Sequence, residues 1–93
     1  MNGSRQHEIT SYVKFWKLYG RLPRNVQRRA RKAYQMWKVD PHHSSLHFKW
    51  VDDKEPIYSA RASGDYRVLG FLEGDTIIWY WIGNHDEYER LLK

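Results

Sequence analysis

The chain has 93 residues, the length of one folding domain, and its composition excludes several classes of protein. Aromatic residues make up 16% of the sequence, which favours a dense core in a small unit. Without cysteine, the chain has no disulfide framework, no thiolate metal site and no cysteine nucleophile. No stretch approaches about 18 apolar residues, so we expect neither a membrane span nor a secretory leader. We expect residues 1–93 to form one domain in which residues 1–6 are disordered.

The net charge of +5 is unevenly distributed along the chain. Residues 1–38 hold ten Lys and Arg and one acid, a charge of +9, whereas residues 39–93 hold six and ten, a charge of −4. From Lys14 to Lys38 there are nine basic residues and no acid, which is typical of a surface that binds a polyanion or an acidic protein segment. The alternative is a solvated helical face that only favours solubility. The candidate contacts to RNA or to a partner are Arg24, Arg28, Arg31 and Lys32.

The sequence up to Pro41 predicts a short strand and two helices. Residues 9–12 have a weak strand pattern, and apolar residues recur at helical spacing over residues 13–22. Pro23 ends that pattern. A second helix then continues until Asp40, because one of its faces is apolar. That face consists of Val26, Ala30, Ala33, Tyr34 and Trp37.

After Pro41 the pattern is that of an antiparallel sheet. Extended runs cover residues 46–51, 57–62, 66–72 and 76–82. Ser63-Gly64-Asp65 and Glu73-Gly74-Asp75 supply the turns between the last three. The last run has no polar residue after Thr76, so we expect an interior strand that is covered on both faces. Residues 86–93 follow as a short helix or an extended tail. The predicted fold is α+β, with two N-terminal helices packed on one face of a small antiparallel sheet in two layers.

Five short segments occur in a fixed order along the chain. They are Leu22-Pro23, Pro41-x-x-Ser44-Ser45-Leu46, Tyr58-Ser59-x-Arg61, Tyr66-Arg67-Val68-Leu69 and Ile82-Gly83-Asn84-His85-x-x-Tyr88. In this order and spacing, over residues 9–92, the chain resembles the RelE/ParE superfamily of bacterial toxin–antitoxin toxins. The resemblance implies a compact α+β fold and a cytoplasmic toxin that a cognate antitoxin holds silent. For RelE-like members it implies cleavage of messenger RNA in the ribosomal A site, and for ParE-like members inhibition of DNA gyrase.

Cleavage of RNA without a metal needs three kinds of side chain. A base removes the proton of the ribose 2′-OH, a fixed cation neutralises the pentavalent phosphate, and an acid protonates the leaving 5′-oxygen. Histidine suits the acid or base role because its ordinary pKa lies near neutral pH. Arginine suits the phosphate, since its planar fork holds two oxygens. We expect neither a cofactor nor a metal.

Arg61 and Arg67 are the first candidates for the cation, and they flank the turn Ser63-Gly64-Asp65. If these three residues form the loop, the arginines lie opposite each other and project from the same face. An even-numbered loop separates the two charges. The resemblance implies that Arg67 contacts the phosphate, and we favour it over Arg61. The alternative for either residue is a structural ion pair with Asp65 or Glu73.

His85 and Tyr88 are the candidates at the end of the chain, directly after the last strand. The resemblance implies that His85 is the general acid of YoeB-like toxins and that Tyr88 is the tyrosine that RelE-like toxins place near the scissile base. The alternative for His85 is a strand-end cap or a surface residue. The alternative for Tyr88 is a contact that docks the tail onto Trp79 or Trp81.

The sequence does not assign the general base. YoeB-like toxins place a glutamate before the first hairpin, and this chain has Ser44 near that position. His47 and Lys49 are the candidates, with His42 and His43 beside them; alternatively, the histidines only occupy a mobile loop. We do not expect a metal at His43 and His47, because no cysteine or carboxylate completes a site at the usual spacing.

Three functions follow from these residues. The preferred one is a ribosome-dependent messenger RNA endoribonuclease, whose partners are an antitoxin, the ribosome and messenger RNA. The second is a ParE-type gyrase inhibitor, which needs no catalytic residue but leaves His85 without a role. The third is a plain RNA-binding module with a basic helix and an aromatic sheet.

Overall fold

The computed structural model describes residues 13–52 and 54–92, and in them helices pack against a four-stranded antiparallel sheet. The elements are α1 (residues 13–20), α2 (Arg24–Val39), a 3-10 turn (Ser44–Leu46), β1 (Lys49–Trp50), β2 (Ile57–Ser63), β3 (Tyr66–Glu73), β4 (Thr76–Asn84) and α3 (His85–Leu92). The strands are ordered β1-β2-β3-β4. The predicted α+β fold is confirmed. The strand predicted at 9–12 and the disorder predicted at 1–6 lie outside the described residues.

The two N-terminal helices are separated by a short turn. α1 ends at residue 20, two residues earlier than predicted, because the amides of Arg21 and Leu22 donate to the carbonyls of Leu18 and Tyr19. α2 begins directly after Pro23 and ends at Val39, as predicted. None of the helices in the described part of the chain is long and apolar enough to cross a membrane.

One face of the sheet packs against α1 and α2, and we call it the hairpin face. Tyr19 of α1, Ala62 of β2 and Ile82 of β4 form its buried centre, with Ala30 of α2 packed against them. The small side chains of Ala60 and Ala62 let α2 approach the sheet closely.

Aromatic rings extend the hairpin face beyond this centre. The ring of Trp37 on α2 lies 5.2 Å from that of Trp79 on β4 and 5.8 Å from that of Phe48. Phe48 stacks on Tyr58 of β2 at 5.1 Å. Edge-to-face and stacked contacts at these distances add to the gain from burial. The aromatic residues predicted for the core therefore tie α2 to both β2 and β4.

The strand predicted over residues 46–51 is wrong at its start. Ser44–Leu46 forms a 3-10 turn, and His47 takes a left-handed backbone conformation with φ of 48°. Only Lys49–Trp50 pairs with β2. Leu46 is buried as the anchor of the turn. The buried Leu46 lies two residues before Phe48, so in this short segment the turn and the strand give the same alternating pattern in the sequence.

The interior position predicted for the strand at 76–82 is not found within the described residues, where β4 pairs with β3 alone. Its apolar sequence has another origin. Trp79 and Ile82 face the helices, whereas Trp81 packs on the opposite face. Helices contact both faces of the strand, and this accounts for its apolar run.

Candidate functional site

The β2–β3 hairpin places Arg61 directly opposite Arg67, as predicted. The turn that produces this pairing differs from the predicted three-residue loop. A two-residue turn at Gly64 and Asp65 is combined with an irregularity between Arg61 and Ser63, which leaves Ala62 as an extra residue on β2. An extra residue on one strand restores the register that an even-numbered loop would have lost.

The two paired arginines have different surroundings. Arg61 is exposed, and its Nε donates to the carbonyl of Gly64 at 3.3 Å. Arg67 is only 8% exposed, and its Nε and Nη2 donate to Oγ of the fully buried Ser59 at 3.2 and 2.8 Å. Among the described residues, neither arginine forms an ion pair with a carboxylate. The structural ion pairs considered for them are therefore not found in this part of the chain.

Tyr88 of α3 covers the guanidinium of Arg67. The Arg67 Cζ lies 5.1 Å from the centre of the Tyr88 ring, a cation–π geometry. Tyr88 is buried and also packs against Leu69 and Trp81. The docking of the C-terminal segment onto Trp81, considered as the alternative role of Tyr88, is thus a feature of the structure. The same ring contacts the candidate phosphate-binding residue, so the two roles are compatible.

His85 lies next to Tyr88, so Tyr88 has Arg67 on one side and His85 on the other. It is the first residue of α3, and its ring centre lies 5.8 Å from that of Tyr88. Its side chain is 54% exposed, with Nε2 3.7 Å from Oε2 of Glu89. We call Arg67, Tyr88 and His85 the Arg67 cluster. It joins a buried cation to a titratable group at the surface.

The face that carries the Arg67 cluster is covered in part by a helix. α3 packs on it, because the chain passes from β4 into α3 without a loop. We call this side of the sheet the α3 face. Its buried centre consists of Leu69, Trp81 and Tyr88.

The start of α3 is fixed by two reciprocal hydrogen bonds. The Glu87 amide donates to Oδ1 of Asn84 at 2.8 Å, and the Asn84 amide donates to Oε1 of Glu87 at 3.1 Å. This capping box satisfies donors that a helix end leaves free. It also fixes where the helix begins, and therefore the direction in which His85 and Tyr88 project.

Gly83, the strand partner of Arg67, leaves room for this arrangement. A Cβ atom at Gly83 would lie 2.5 Å from the ring of Trp81 and 2.8 Å from Oε1 of Glu87. Only glycine allows the Trp81 ring and the capping carboxylate to approach the strand so closely.

The two candidate bases differ in position. Lys49 is paired with Ser59, and directly paired residues of antiparallel strands project from the same face, so the register places Lys49 on the α3 face. His47 is exposed and precedes the strand. The neighbouring His43 accepts a hydrogen bond from the Ser45 amide at its Nδ1. Within residues 13–52 and 54–92, no three His, Cys, Asp or Glu side chains form a group able to hold a metal ion.

The four basic residues of α2 that are candidate contacts fall into two groups. Arg24, Arg28 and Lys32 are exposed, without an ion pair to any described carboxylate. Arg31 contacts another helix: its Nε donates to the Tyr19 hydroxyl at 2.7 Å, and its Cζ lies 5.8 Å from the Tyr19 ring centre. Arg31 therefore links α2 to α1, and the other three form the free basic surface of this helix.

A largely apolar groove of about 650 Å³ lies between the two N-terminal helices and β4. Its walls include Trp16, Ala33, Tyr34, Ile78 and Trp79, and Arg31 lies at the side of α2. Tyr34 and Trp16 are 48% and 41% exposed, which is unusual for aromatic side chains of this size.

Two residues of this site were not predicted from the sequence. Ser59 is two positions before Arg61 in β2, so it shares a face with the arginines, and a hydroxyl in an otherwise apolar stretch was a usable signal. Gly83 gave no such signal, because its role depends on the position of the Trp81 ring.

Comparisons with known proteins agree with this fold. Residues 24–90 match the family described as the ParE-like toxin domain. A chain of the crystal structure of the RelB–RelE antitoxin–toxin complex from Methanococcus jannaschii is similar in fold, with a TM-score of 0.67 at 19% identity over 85% of this chain and 93% of that chain. No curated protein is similar enough in sequence to count as a match. Because the family match spans most of its length, the chain belongs to the ParE-like toxin domain family, within the RelE/ParE superfamily of toxins.

Proposed function

We propose that this chain is the toxin of a toxin–antitoxin pair and that it cleaves messenger RNA on the ribosome, in the cytoplasm. The observation that carries the proposal is the Arg67 cluster. A guanidinium that is 8% exposed has only a hydroxyl and an aromatic ring as described partners. Burial of a cation without a counter-charge is unfavourable, and an anionic ligand compensates for it. A phosphate matches the fork of a guanidinium.

The proposed reaction assigns one role to each end of the cluster. The ribose 2′-oxygen attacks the phosphorus, its proton passes to a base, and the bond from phosphorus to the 5′-oxygen breaks. Arg67 neutralises the charge that develops on the phosphate oxygens. Protonated His85 gives its proton to the leaving 5′-oxygen. Tyr88 holds Arg67 from one side and lies between the two groups.

Lys49 is the better supported candidate for the base, because it shares the α3 face with Arg67. His47 remains the second candidate, at the start of the same segment. Arg61 is paired with Arg67 but exposed, which suits a contact to the RNA backbone next to the scissile phosphate.

The proposed partners follow from the free basic surface of α2. Arg24, Arg28 and Lys32 would meet phosphates of ribosomal RNA during cleavage and acidic residues of the antitoxin in the silenced complex. An antitoxin segment with an apolar face and acidic flanks fits the groove beside α2, whose walls are apolar. Competition for one surface explains how an antitoxin would silence the toxin.

A second candidate function is inhibition of DNA gyrase, as a binding protein without catalysis. The family match favours it, because the matching description is ParE-like. The fold and the basic surface suit either function. The Arg67 cluster distinguishes them, since a gyrase inhibitor has no need of an acid beside a buried arginine.

The test is primer extension on translated messenger RNA after induction, with Arg67→Ala, His85→Ala and a matched control, Arg90→Ala. Arg90 is an exposed arginine of α3 whose Nε donates to the Asp86 carbonyl. Cuts within codons from wild type and from the control, and none from the other two variants, support the proposal. Circular dichroism checks that each variant is folded. Growth arrest with intact RNA and an induced SOS response would overturn the ribonuclease and favour gyrase.

A further inference from the structure

Ser59 is the partner that decides how Arg67 is oriented. Its side chain is completely buried, and its Oγ accepts two hydrogen bonds from one guanidinium, from Nε at 3.2 Å and from Nη2 at 2.8 Å. No other hydrogen-bond partner of Arg67 occurs among the described residues.

The two bonds occupy one of the two forks of the guanidinium. Nε–H and one N–H of Nη2 are parallel and form the side fork, and Nη1 with the other N–H of Nη2 forms the end fork. One hydroxyl oxygen holds the whole side fork. The end fork is left for a ligand, and its spacing matches two oxygens of a phosphate.

The position of Ser59 makes it a rigid support. It lies in β2 with strands on both sides, and its Cα is paired with Lys49 of β1 and with Leu69 of β3. Residues at such positions move little, whereas an arginine side chain has several rotatable bonds to fix. Tyr88 contacts the guanidinium from the α3 side. The hydroxyl and the ring together define the plane and the direction of the guanidinium.

We propose that Ser59 is a positioning residue of the RNA cleavage proposed above: it occupies the side fork of Arg67 so that the end fork faces the scissile phosphate. The inference rests on the proposed function for its effect on rate, but the orientation of Arg67 is a property of the free protein. Small misplacements of catalytic groups cost up to about 100-fold in rate. The alternative is that Ser59 is only a small side chain that packs in the sheet. Its hydroxyl would then have no effect on the orientation of Arg67.

The first measurement needs no substrate. In wild-type protein labelled with ¹⁵N-arginine, the Nε–H of Arg67 is held by Ser59 and shielded from solvent, so we expect one resonance with slow hydrogen exchange. Ser59→Ala removes the acceptor at nearly constant volume, and the exchange should become at least about tenfold faster. Ser63→Ala removes a hydroxyl from the end of the same strand and should leave the resonance unchanged. Unchanged exchange in Ser59→Ala would overturn the proposal.

The second measurement is single-turnover cleavage on programmed ribosomes. We expect Ser59→Ala to lower the rate at saturating ribosome by about 10- to 100-fold with little change in ribosome affinity. Ser59→Thr keeps the hydroxyl and should restore most of the rate, and Ser63→Ala should cut like wild type. In an Arg67→Lys background, which lacks the fork, Ser59→Ala should add little. This double variant decides the question even if the extra methyl of threonine prevents folding.

The outcomes separate the two proposals. If Ser59→Ala cuts at the wild-type rate, or if its effect simply multiplies with that of Arg67→Lys, Ser59 does not act through Arg67. If wild-type protein does not cut RNA at all, the proposed function fails, and the Nε–H exchange alone decides whether Ser59 positions Arg67.

Discussion

The two faces of the sheet are built from alternate residues of the same strands, and they differ in what they contain. On β2, Ala60 and Ala62 face the N-terminal helices, whereas Ser59 projects to the α3 face. The hairpin face is apolar and aromatic throughout its buried part. The α3 face combines Leu69 and Trp81 with a buried arginine and its hydroxyl partner. Strand alternation thus separates the side chains that hold the fold from those available for chemistry.

With the proposed function, stability and activity oppose each other on the α3 face only. A buried cation without a carboxylate partner among the described residues is unfavourable for folding, and proteins retain such groups where activity needs them. The hairpin face contains no comparable group among its described residues. The predictions below use variants on each side of the sheet to test this contrast.

The largest effect is expected for Arg67→Met. Methionine keeps much of the volume without the charge, so relief of the buried charge opposes the loss of the two bonds to Ser59, and the free energy of unfolding should change by less than about 1 kcal/mol. Cleavage should fall by about 10²–10³-fold, because the fixed guanidinium that neutralises the phosphate is lost. Thermal unfolding and single-turnover cleavage measure the two effects. A melting temperature lower by more than about 4–8 °C, or roughly 1 kcal/mol, would show that the arginine stabilises this face.

Two glycines provide a matched pair across the sheet. A Cβ at Gly70 would lie 2.6 Å from the Trp79 ring, and a Cβ at Gly83 would lie 2.5 Å from the Trp81 ring. Each change to alanine should lower the free energy of unfolding by about 1–3 kcal/mol, because the rings must move. Only Gly83→Ala should also lower cleavage per folded molecule, since the displaced groups position α3. Urea unfolding and active-site-normalised cleavage test this, and equal losses of cleavage in both variants would contradict the separation of the two faces.

A smaller effect is expected in the helical layer. Arg31→Ala removes the bond to the Tyr19 hydroxyl and should lower the free energy of unfolding by about 1 kcal/mol. Arg28→Ala should leave stability unchanged. If Arg28 contacts a phosphate, its removal should reduce the slope of log affinity for ribosomal RNA against log salt by about 0.7–0.9. Binding titrations over a range of salt concentrations measure this slope. An unchanged slope would mean that Arg28 is a solvent-exposed residue that does not contact RNA.

The smallest effect concerns alkaline pH on the α3 face. Burial, with the charges of Asp52 and Glu55, raises the pKa of Tyr80 above its ordinary value. Because the pKa is higher in the folded state, Tyr80 contributes stability that is fully present below the unfolded pKa of about 10 and is lost as the pH rises through the folded value. Urea unfolding at about pH 9 and pH 11 should show a smaller alkaline loss for Tyr80→Phe than for wild type. An identical loss in both proteins would assign the alkaline sensitivity to other groups.

Much of the fold could be predicted because local signals determine it. The spacing of Val26, Ala30 and Trp37 specifies α2, and Pro23 specifies where it begins. Turn residues after Arg61 brought the two arginines together, although the strand needed an extra residue to do so. The strand pairing of β4 within the described residues could not be predicted, because an apolar run shows that the faces of a strand are covered and not which strands pair with it.

The sequence indicated the charged residues of the candidate site, but not the contacts that hold them in place. Arg67 and His85 combine suitable chemistry with positions at the end of a strand or beside a turn, and sequence reasoning finds such residues. The burial of Arg67 under Tyr88 depends on how α3 folds back onto the sheet. No local pattern reports such a contact, because it joins residues of different elements through their side chains.

The capping box at Asn84 and Glu87 fixes the start of α3 directly after the last strand, without a flexible residue between them. A helix advances about 100° and 1.5 Å with each residue. One inserted residue after Asn84 would therefore turn His85 and Tyr88 by more than a quarter of a revolution, away from Arg67. The length of the chain at this junction is as much a determinant of the site as the identity of its side chains.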